Sequence, residues 1–259
     1  MVKPFELSEQ ISTIHGQYLS PDTLLHSLLN STDSEKKSIV RLWITEGIPY
    51  VFRNNPMIYE QVRTWLSAQL GINEKEITII GSARTGYSLS SFPNYGAEYN
   101  SGSDLDFSII SMDLFEKLTG DFNCWISDYS NDKVNPKNDE EEKYWKLNKN
   151  GVPNQIKRGF IDHNKIPYKN TYPTAQNLGQ TMYLLNERIR LTKNAPFTKK
   201  ASIRIYKNWD SFIRQLMINI EFMLQSVNRD TIHSEKYLSE VGVSNSTFAE
   251  QKHLESMSL

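Results

Sequence analysis

The amino-acid sequence predicts an α/β fold of the α+β kind, with a small mixed sheet flanked by helices and followed by a C-terminal helical part. Two short apolar runs, 77–80 and 105–110, have the β-branched residues and the abrupt ends of buried strands. Two longer segments, 56–70 and 205–227, place apolar residues at helical spacing. A chain that carries both patterns packs its helices on a sheet.

Length and composition limit the class of protein. The chain has 259 residues, 38% of them hydrophobic, and a mean hydropathy of -0.53, which predicts one large globular domain or one domain with a helical appendage. Collagen, tandem repeats and disulfide-rich miniproteins are excluded. Since 29 Lys and Arg residues stand against 30 Asp and Glu residues, the chain has no overall basic field, and any polyanion site has to be local.

The single cysteine and the distribution of apolar residues bear on location. Cys124 has no partner for an internal disulfide or for a cysteine-rich zinc site, which fits a reducing compartment. Residues 1–6 lack the long apolar stretch of a signal peptide, and no run of about 18 apolar residues occurs in the sequence. We therefore expect a cytoplasmic protein that does not cross a membrane.

The elements before and between the two strands have clear boundaries. Residues 34–45 predict a first helix. Asn55 and Pro56 predict the start of a second helix, and Gly71 predicts its end. The stretch 88–102 is rich in Ser, Asn, Gly and Tyr, so it predicts a loop between the strands.

The second half of the chain is less regular. Residues 156–162 predict a third strand, and the acidic stretch 128–142 before it predicts a solvated connection. Apolar residues at helical spacing over 205–227 predict a long amphipathic helix. From about Asn228 the periodicity weakens, and this stretch is predicted to fray.

Two carboxylates stand at the start of the second predicted strand. Asp104 and Asp106 occupy alternate positions, so both point from one face, roughly 6 to 7 Å apart at their Cα atoms. Two anions so placed are stable when they are hydrated or when they share a cation, and oxygen ligands at this spacing suit Mg²⁺ or Mn²⁺ bound together with substrate phosphates. Solvated acids at a strand end are the alternative interpretation of the same pattern.

A Gly-Ser turn follows the first predicted strand. Gly81 and Ser82 lie where a strand ends and a helix begins, a geometry that exposes backbone N–H groups and a hydroxyl to phosphate oxygens. A simple strand-to-helix turn is the alternative. Phosphate donors at one strand end and a carboxylate pair on the next strand are together what phosphoryl or nucleotidyl transfer requires.

These two motifs resemble those of the DNA polymerase β-type nucleotidyltransferase superfamily, and most closely its minimal bacterial nucleotidyltransferase domains. The motifs are Ile79-Ile80-Gly81-Ser82-Ala83-Arg84-Thr85-Gly86 and Ser103-Asp104-Leu105-Asp106-Phe107. The resemblance covers residues 77–110 and extends by architecture over about 50–225. The 21 residues between Ser82 and Asp104 are more than the superfamily usually has, and the extra length falls in the loop between the strands.

The resemblance implies Mg²⁺-dependent (or Mn²⁺-dependent) transfer of a nucleoside monophosphate from an NTP or dNTP to a hydroxyl, with release of pyrophosphate. In that reaction Asp104 and Asp106 would bind the cation. Gly81 and Ser82 would hold the β- and γ-phosphates, and Arg84 would add a phosphate contact.

The resemblance also implies a third carboxylate on a later strand, which completes the metal site and helps to activate the hydroxyl. Asp162 is the candidate, because it ends the third predicted strand. Its alternative role is to cap the turn toward Pro167. Other acidic residues are less favoured because they fall in helical or loop sequence, and His163 is expected to be a neighbour of the site. These other acids are Asp113, Asp121 and Asp128.

Basic residues are concentrated in 188–214, where eight Lys and Arg residues stand against Asp210 alone. This excess suits a triphosphate or a nucleic-acid strand, and a solvated helix face is the alternative. Tyr183, Tyr206 and Trp209 are candidates to stack on a base, although Trp209 also fits the apolar stripe of the helix.

We therefore divide the chain into a nucleotidyltransferase core with N-terminal helices, 1–165, and a helical region packed on it, 166–259. A nucleotide, an oligonucleotide or a nucleic-acid end is the favoured acceptor, in a setting such as bacterial defence. The rival hypothesis is a noncatalytic scaffold or antitoxin-type binding protein that keeps the same fold.

Overall fold

The computed structural model of the protein describes residue 12 and residues 14–240, with side chains described up to residue 227. The predictions for residues 1–6 and for the stretch after residue 240 lie outside the described residues. The α-helices of the described part are α1 Pro21–Leu29, α2 Asp33–Ile39, α3 Pro56–Leu70, α4 Ser82–Thr85, α5 Met112–Ser130, α6 Asp139–Arg158, α7 Pro173–Leu191 and α8 Trp209–Glu240. The strands are β1 Ile77–Ile80, β2 Leu105–Ile110, β3 Phe160–Asp162 and β4 Ala201–Tyr206.

The four strands form one mixed sheet in the order β1-β2-β4-β3. β1 runs antiparallel to β2, β2 runs parallel to β4, and β3 runs antiparallel to β4. The predicted α/β class and the small mixed sheet are therefore confirmed. β1 and β3 end at the edge of the sheet where β2 and β4 begin.

Alternation along the strands gives the sheet two different faces. One face carries Phe107, Ile79 and Ile203 into a core completed by α3, α5, α6 and α7. The other face carries Ile110 and Tyr206 into a second core with α1, α2 and α8. Helices therefore cover both faces, but the second face is apolar at one end only.

The early helices follow the predicted boundaries. α2 begins at the N-cap Thr32, which forms a reciprocal capping box with Glu35, and it continues as a π-helical turn over Val40–Thr45. α3 starts directly after Asn55 and ends at Gly71, whose φ of 66° is the left-handed conformation that glycine adopts readily.

The third strand is shorter than predicted. α6 occupies residues up to Arg158, so only Phe160–Asp162 is a strand. The alternating pattern over 156–158 is the last turn of α6, which Gly159 ends with a φ of 83°. The predicted solvated connection 128–142 is likewise shorter, because α5 and α6 extend into it from both sides.

The late helix was predicted to start too early. Ile205 belongs to β4, and the helix begins at Trp209. β4 lies between β2 and β3, so the chain after residue 165 supplies an interior strand of the sheet in addition to α7 and α8. In the part of the chain that the structure describes, no helix combines the length and the apolar character needed to span a bilayer.

Candidate active site

Polar side chains gather at one end of the second sheet face. Strand register places Asp106 of β2 beside Ser202 of β4, and Arg204 of β4 between Ser108 of β2 and Asp162 of β3. Partners in register project from the same face of a sheet. The polar end of this face therefore crosses three adjacent strands.

The Gly81 turn lies directly against this polar end. Ile80 pairs with Asp106 in the β1–β2 register, and a Cβ atom on Gly81 would lie 3.5 Å from Oδ2 of Asp106. The φ of Gly81 is 70°, a conformation that side chains with a Cβ rarely adopt. The Thr85 hydroxyl lies 3.2 Å from the Gly81 carbonyl oxygen and donates to it, which closes α4 onto the turn.

A cavity of about 540 Å³ opens over the Gly81 turn and the polar end of the sheet. That volume is in the range of sites for small ligands and nucleotides. Its polar walls hold six serines, together with two aspartates, an arginine and an asparagine. The polar lining residues are Ser82, Ser88, Ser90, Ser91, Asp106, Ser108, Asp162, Ser202, Arg204 and Asn219. Apolar side chains of α8 and of the π-helical turn, among them Leu216, Ile220 and Ile44, line the rest.

The long loop between β1 and β2 forms part of this cavity. Residues 88–91 line it, and the loop is tied to two helices. The backbone N–H of Phe92 donates to the hydroxyl of Ser226 on α8 at 3.0 Å, and the hydroxyl of Tyr95 donates to the carbonyl of Pro21 at 2.7 Å. The first residues of this loop therefore form part of the cavity wall.

Asp106 is held by a hydroxyl on the neighbouring strand. The Ser202 Oγ donates to Asp106 Oδ1 at 2.7 Å. This bond fixes one carboxylate oxygen and turns the other toward the Gly81 turn. Because a hydrogen bond to a carboxylate is stronger than one between neutral groups, it orients the side chain firmly.

Asp104 has an unsatisfied carboxylate oxygen. Its Oδ1 is buried and has no hydrogen-bond partner among the described residues, and its Oδ2 lies 3.9 Å from Lys200 Nζ. Burial raises the pKa of the Tyr99 phenol, and the charges of Asp104 and Asp106 raise it further. Both carboxylates therefore lie near Tyr99 at the start of β2, but only Asp106 of the two is among the residues that line the cavity.

Asp162 lies in the cavity wall but apart from the other two carboxylates. It is two strands away from Asp106 and offset by two register positions, which corresponds to roughly 12 Å between the Cα atoms. Its Oδ1 accepts from Arg204 Nε at 2.6 Å, and Gln155 lies 3.4 Å from its Oδ2. Within the described residues, no three His, Cys, Asp or Glu side chains are grouped so that they could hold a metal ion.

Among the described residues, Arg204 is the only Lys, Arg or His that lines the cavity. Burial lowers the pKa of Arg204, but the hydrogen bond to Asp162 and the charge of Asp162 raise it by more, so the net shift of the pKa is upward. Its guanidinium lies 4.7 Å above the centre of the Phe160 ring. The side chain is thus charged and held from two sides.

Arg84 is placed differently from the expectation. It is 1% exposed, its guanidinium donates to the carbonyl of Ile48, and it is not among the residues that line the cavity. Burial lowers its pKa. Arg84 therefore holds α4 against the segment before α3, and we leave it out of the site.

The remaining candidate residues lie outside the cavity lining. His163 is buried, and its Nδ1 lies 2.9 Å from the carbonyl oxygen of Ile203. Tyr206 is fully buried in the second core, Trp209 is half exposed, and Tyr183 projects from α7 with 70% of its surface exposed. Trp209 packs edge-on against the buried Phe212 of α8, and none of these aromatic residues lines the cavity.

Several cavity residues were not singled out from the sequence. Ser108 and Ser202 lie on strands that flank each other, and the two-residue alternation of Ser202 and Arg204 between apolar neighbours was the signal for this strand. Ser108 is fully buried, and its hydroxyl has no hydrogen-bond partner among the described residues. Asn219 carries no sequence signal of its own.

In comparisons with known proteins, no family model, curated protein or solved structure matches this chain.

Proposed function

We propose that this protein is a Mg²⁺-dependent (or Mn²⁺-dependent) nucleotidyltransferase that moves a nucleoside monophosphate from an NTP or dNTP to a hydroxyl acceptor. The observation that carries the proposal is the close approach of the Asp106 carboxylate to the Gly81 turn inside one serine-rich cavity, where a Cβ atom on Gly81 would lie 3.5 Å from Asp106 Oδ2. A phosphate site and a cation site that touch each other are what transfer to a phosphorus centre needs.

Asp104 and Asp106 are the residues that would hold the divalent cation. Their fit rests on the buried Oδ1 of Asp104, which lacks a hydrogen-bond partner among the described residues, and on the hard oxygen donors that both side chains offer. The chemistry that the cation supplies when bound is neutralisation of triphosphate charge.

The protein's own residues bind and orient the nucleotide. Ser82 would donate its hydroxyl to a triphosphate oxygen, and Ser202 keeps Asp106 in place through their hydrogen bond. The apolar residues of α8 that line the cavity would give a base an apolar surface to pack against. Asp162 is engaged by Arg204, so it no longer has the role of third metal ligand in this proposal.

The reaction balances without a further reagent. The acceptor hydroxyl oxygen forms a bond to the α-phosphorus, and the bond from that phosphorus to the oxygen bridging to the β-phosphorus breaks. Pyrophosphate leaves with the electron pair, and the hydroxyl proton passes to water. A nucleotide, an oligonucleotide or a nucleic-acid end is the acceptor that we favour, in a setting such as bacterial defence.

A second candidate function has its own observation. Because Asp162 is paired with Arg204 and the described carboxylates do not gather in threes, the cavity also suits a protein that binds a nucleotide without transferring it. A noncatalytic scaffold or an antitoxin-type binding protein would act in this way.

One experiment separates the two candidates. The protein is incubated with Mg²⁺ and each NTP and dNTP labelled at the α-phosphate, and the products are identified, while the melting temperature is followed with the same nucleotides. A transferase raises its melting temperature and yields a labelled product. A binding protein raises its melting temperature but yields no labelled product. If neither the melting temperature rises nor a labelled product forms, both functions are contradicted.

A further inference from the structure

Arg204 has three properties that set it apart from the other basic residues of 188–214. It lines the cavity, its Nε is bonded to a carboxylate at 2.6 Å, and its ring contact with Phe160 confines the guanidinium plane. Lys199, by contrast, is exposed and does not line the cavity. Arg204 is therefore a fixed charge inside the site.

The bond to Asp162 leaves part of the guanidinium available. A guanidinium carries five N–H donors, and Asp162 takes the one on Nε. The Tyr206 hydroxyl also interacts with the guanidinium, and the remaining donors of the two terminal nitrogens form the fork that matches phosphate oxygens. Because Asp162 accepts at Nε, it also fixes the direction in which this fork points.

A residue next to Arg204, Ser108, has a buried hydroxyl that an anionic ligand in the cavity would satisfy. Ser108 is the register partner of Arg204 on β2, and the Ser108 hydroxyl is buried, lines the cavity and has no hydrogen-bond partner in the described part of the chain. A buried hydroxyl without a partner is costly unless a ligand satisfies it. A phosphate oxygen that meets the Arg204 fork from the cavity lies near this hydroxyl.

We propose that Arg204 binds the polyphosphate of the nucleotide directly and without a metal ion, and that Asp162 is the positioning residue that orients it. This inference rests on the proposed function for the identity of the ligand. Arg204 thus supplies a positive charge to the cavity on β4, two register positions from the residue that pairs with Asp106. The carboxylate at residue 162 acts through the guanidinium and does not touch the nucleotide.

The test measures binding of inorganic tripolyphosphate to the full-length protein by titration calorimetry in EDTA. Arg204→Gln should weaken binding about tenfold or more, the effect of losing a charged hydrogen-bonded contact. Arg190→Gln is the matched control, because Arg190 is also paired with a carboxylate, Glu187, but lies exposed on α7 outside the cavity. It should bind tripolyphosphate as the wild type does.

The positioning role is tested by non-additivity. Asp162→Asn alone should weaken binding severalfold, and the double variant Asp162→Asn with Arg204→Gln should bind no more weakly than Arg204→Gln alone. A purely structural role for Asp162 would instead add its loss to the double variant. Should Arg204→Gln fail to fold, Arg204→Lys keeps the charge without the fork and should still bind severalfold more weakly.

Two results overturn the proposal: wild-type protein that does not bind tripolyphosphate in EDTA, or an Arg204 variant that folds and binds it with wild-type affinity. Failure of the proposed nucleotidyl transfer is detected in a different experiment, as the absence of a labelled product after incubation with Mg²⁺ and labelled NTP. The two assays therefore fail independently.

Discussion

Ser82 is the residue whose removal isolates the phosphate contact. Its side chain lines the cavity directly after the Gly81 turn, and it forms the first residue of α4. We expect Ser82→Ala to weaken NTP binding by about 1 to 3 kcal/mol, because one hydrogen bond to a charged phosphate is lost. Titration calorimetry with Mg²⁺ and NTP measures this change.

Ser34→Ala is the control for that variant, since Ser34 is exposed on α2 and lies outside the cavity. An unchanged dissociation constant for Ser82→Ala would move the phosphate site away from the Gly81 turn.

At the scale of residues, the sequence predicted which motifs lie side by side, but it did not predict which side chains form pairs. The side-by-side placement of the Gly81 turn and Asp106 follows from two short motifs on adjacent strands, and the structure has it. The pairing of Asp162 with Arg204 was not predictable, because it depends on the register of β3 with β4. Arg84 was misplaced since nothing in its motif indicates that its side chain turns into the interior.

At the scale of elements, the turn between α6 and β3 depends on Gly159. Its φ is 83°, and a Cβ atom there would collide with the Ser211 side chain at the start of α8. We expect Gly159→Ala to lower the free energy of unfolding by about 1 to 3 kcal/mol, the cost of a strained left-handed residue plus the displaced serine. Chemical denaturation measures the difference.

The matched control is Gly151→Ala in the middle of α6, where a Cβ atom meets nothing within 4 Å. There alanine should raise the free energy of unfolding by up to about 1 kcal/mol, because its helix propensity is higher. Equal effects of the two substitutions, in either direction, would contradict this account of the turn.

Two of the misassigned boundaries share one physical cause. Ile205 satisfies the two-residue period of β4 and also the helical spacing of the residues after it, so the pattern alone assigned it to the helix. Likewise, the last turn of α6 alternates like a strand until Gly159 ends it. The boundaries of α3 were predicted well, since several turns average out such coincidences, whereas α1, α5 and α7 were not predicted.

At the scale of the whole molecule, the net charge of -1 limits what the basic segment does. The structure separates its members: Lys200 lies 3.9 Å from Asp104, Arg204 lines the cavity, and Arg188 stacks on Trp65. A chain without a broad basic surface is poorly suited to grip a polynucleotide. Under the proposed function we therefore expect the basic residues near the site to act mainly on the triphosphate.

We expect the double variant Lys199→Gln with Lys200→Gln to raise the apparent KM for NTP and to leave any polynucleotide affinity unaltered. Lys200 Nζ lies 3.9 Å from Asp104 Oδ2, so the loss of this charge should weaken the attraction of the triphosphate to that region. The measurements are initial rates against NTP concentration and polynucleotide binding against salt. A salt dependence that flattens by roughly 0.7 per lost contact would instead assign these lysines to a nucleic-acid strand.

The most direct measurement of the central claim uses one NTP labelled at the α-phosphate and the same NTP labelled at the γ-phosphate, with Mg²⁺ and a hydroxyl acceptor. The account predicts that the α-label enters the product and the γ-label leaves in pyrophosphate. It also predicts that Asp104→Asn or Asp106→Asn lowers the transfer rate at least about 100-fold without lowering the melting temperature, because removing one of two repelling carboxylates relieves strain. The control Asp113→Asn, on the exposed face of α5, should transfer at the wild-type rate. Full activity in either the Asp104 or the Asp106 variant, or no labelled product from the wild type with any nucleotide, would contradict the claim.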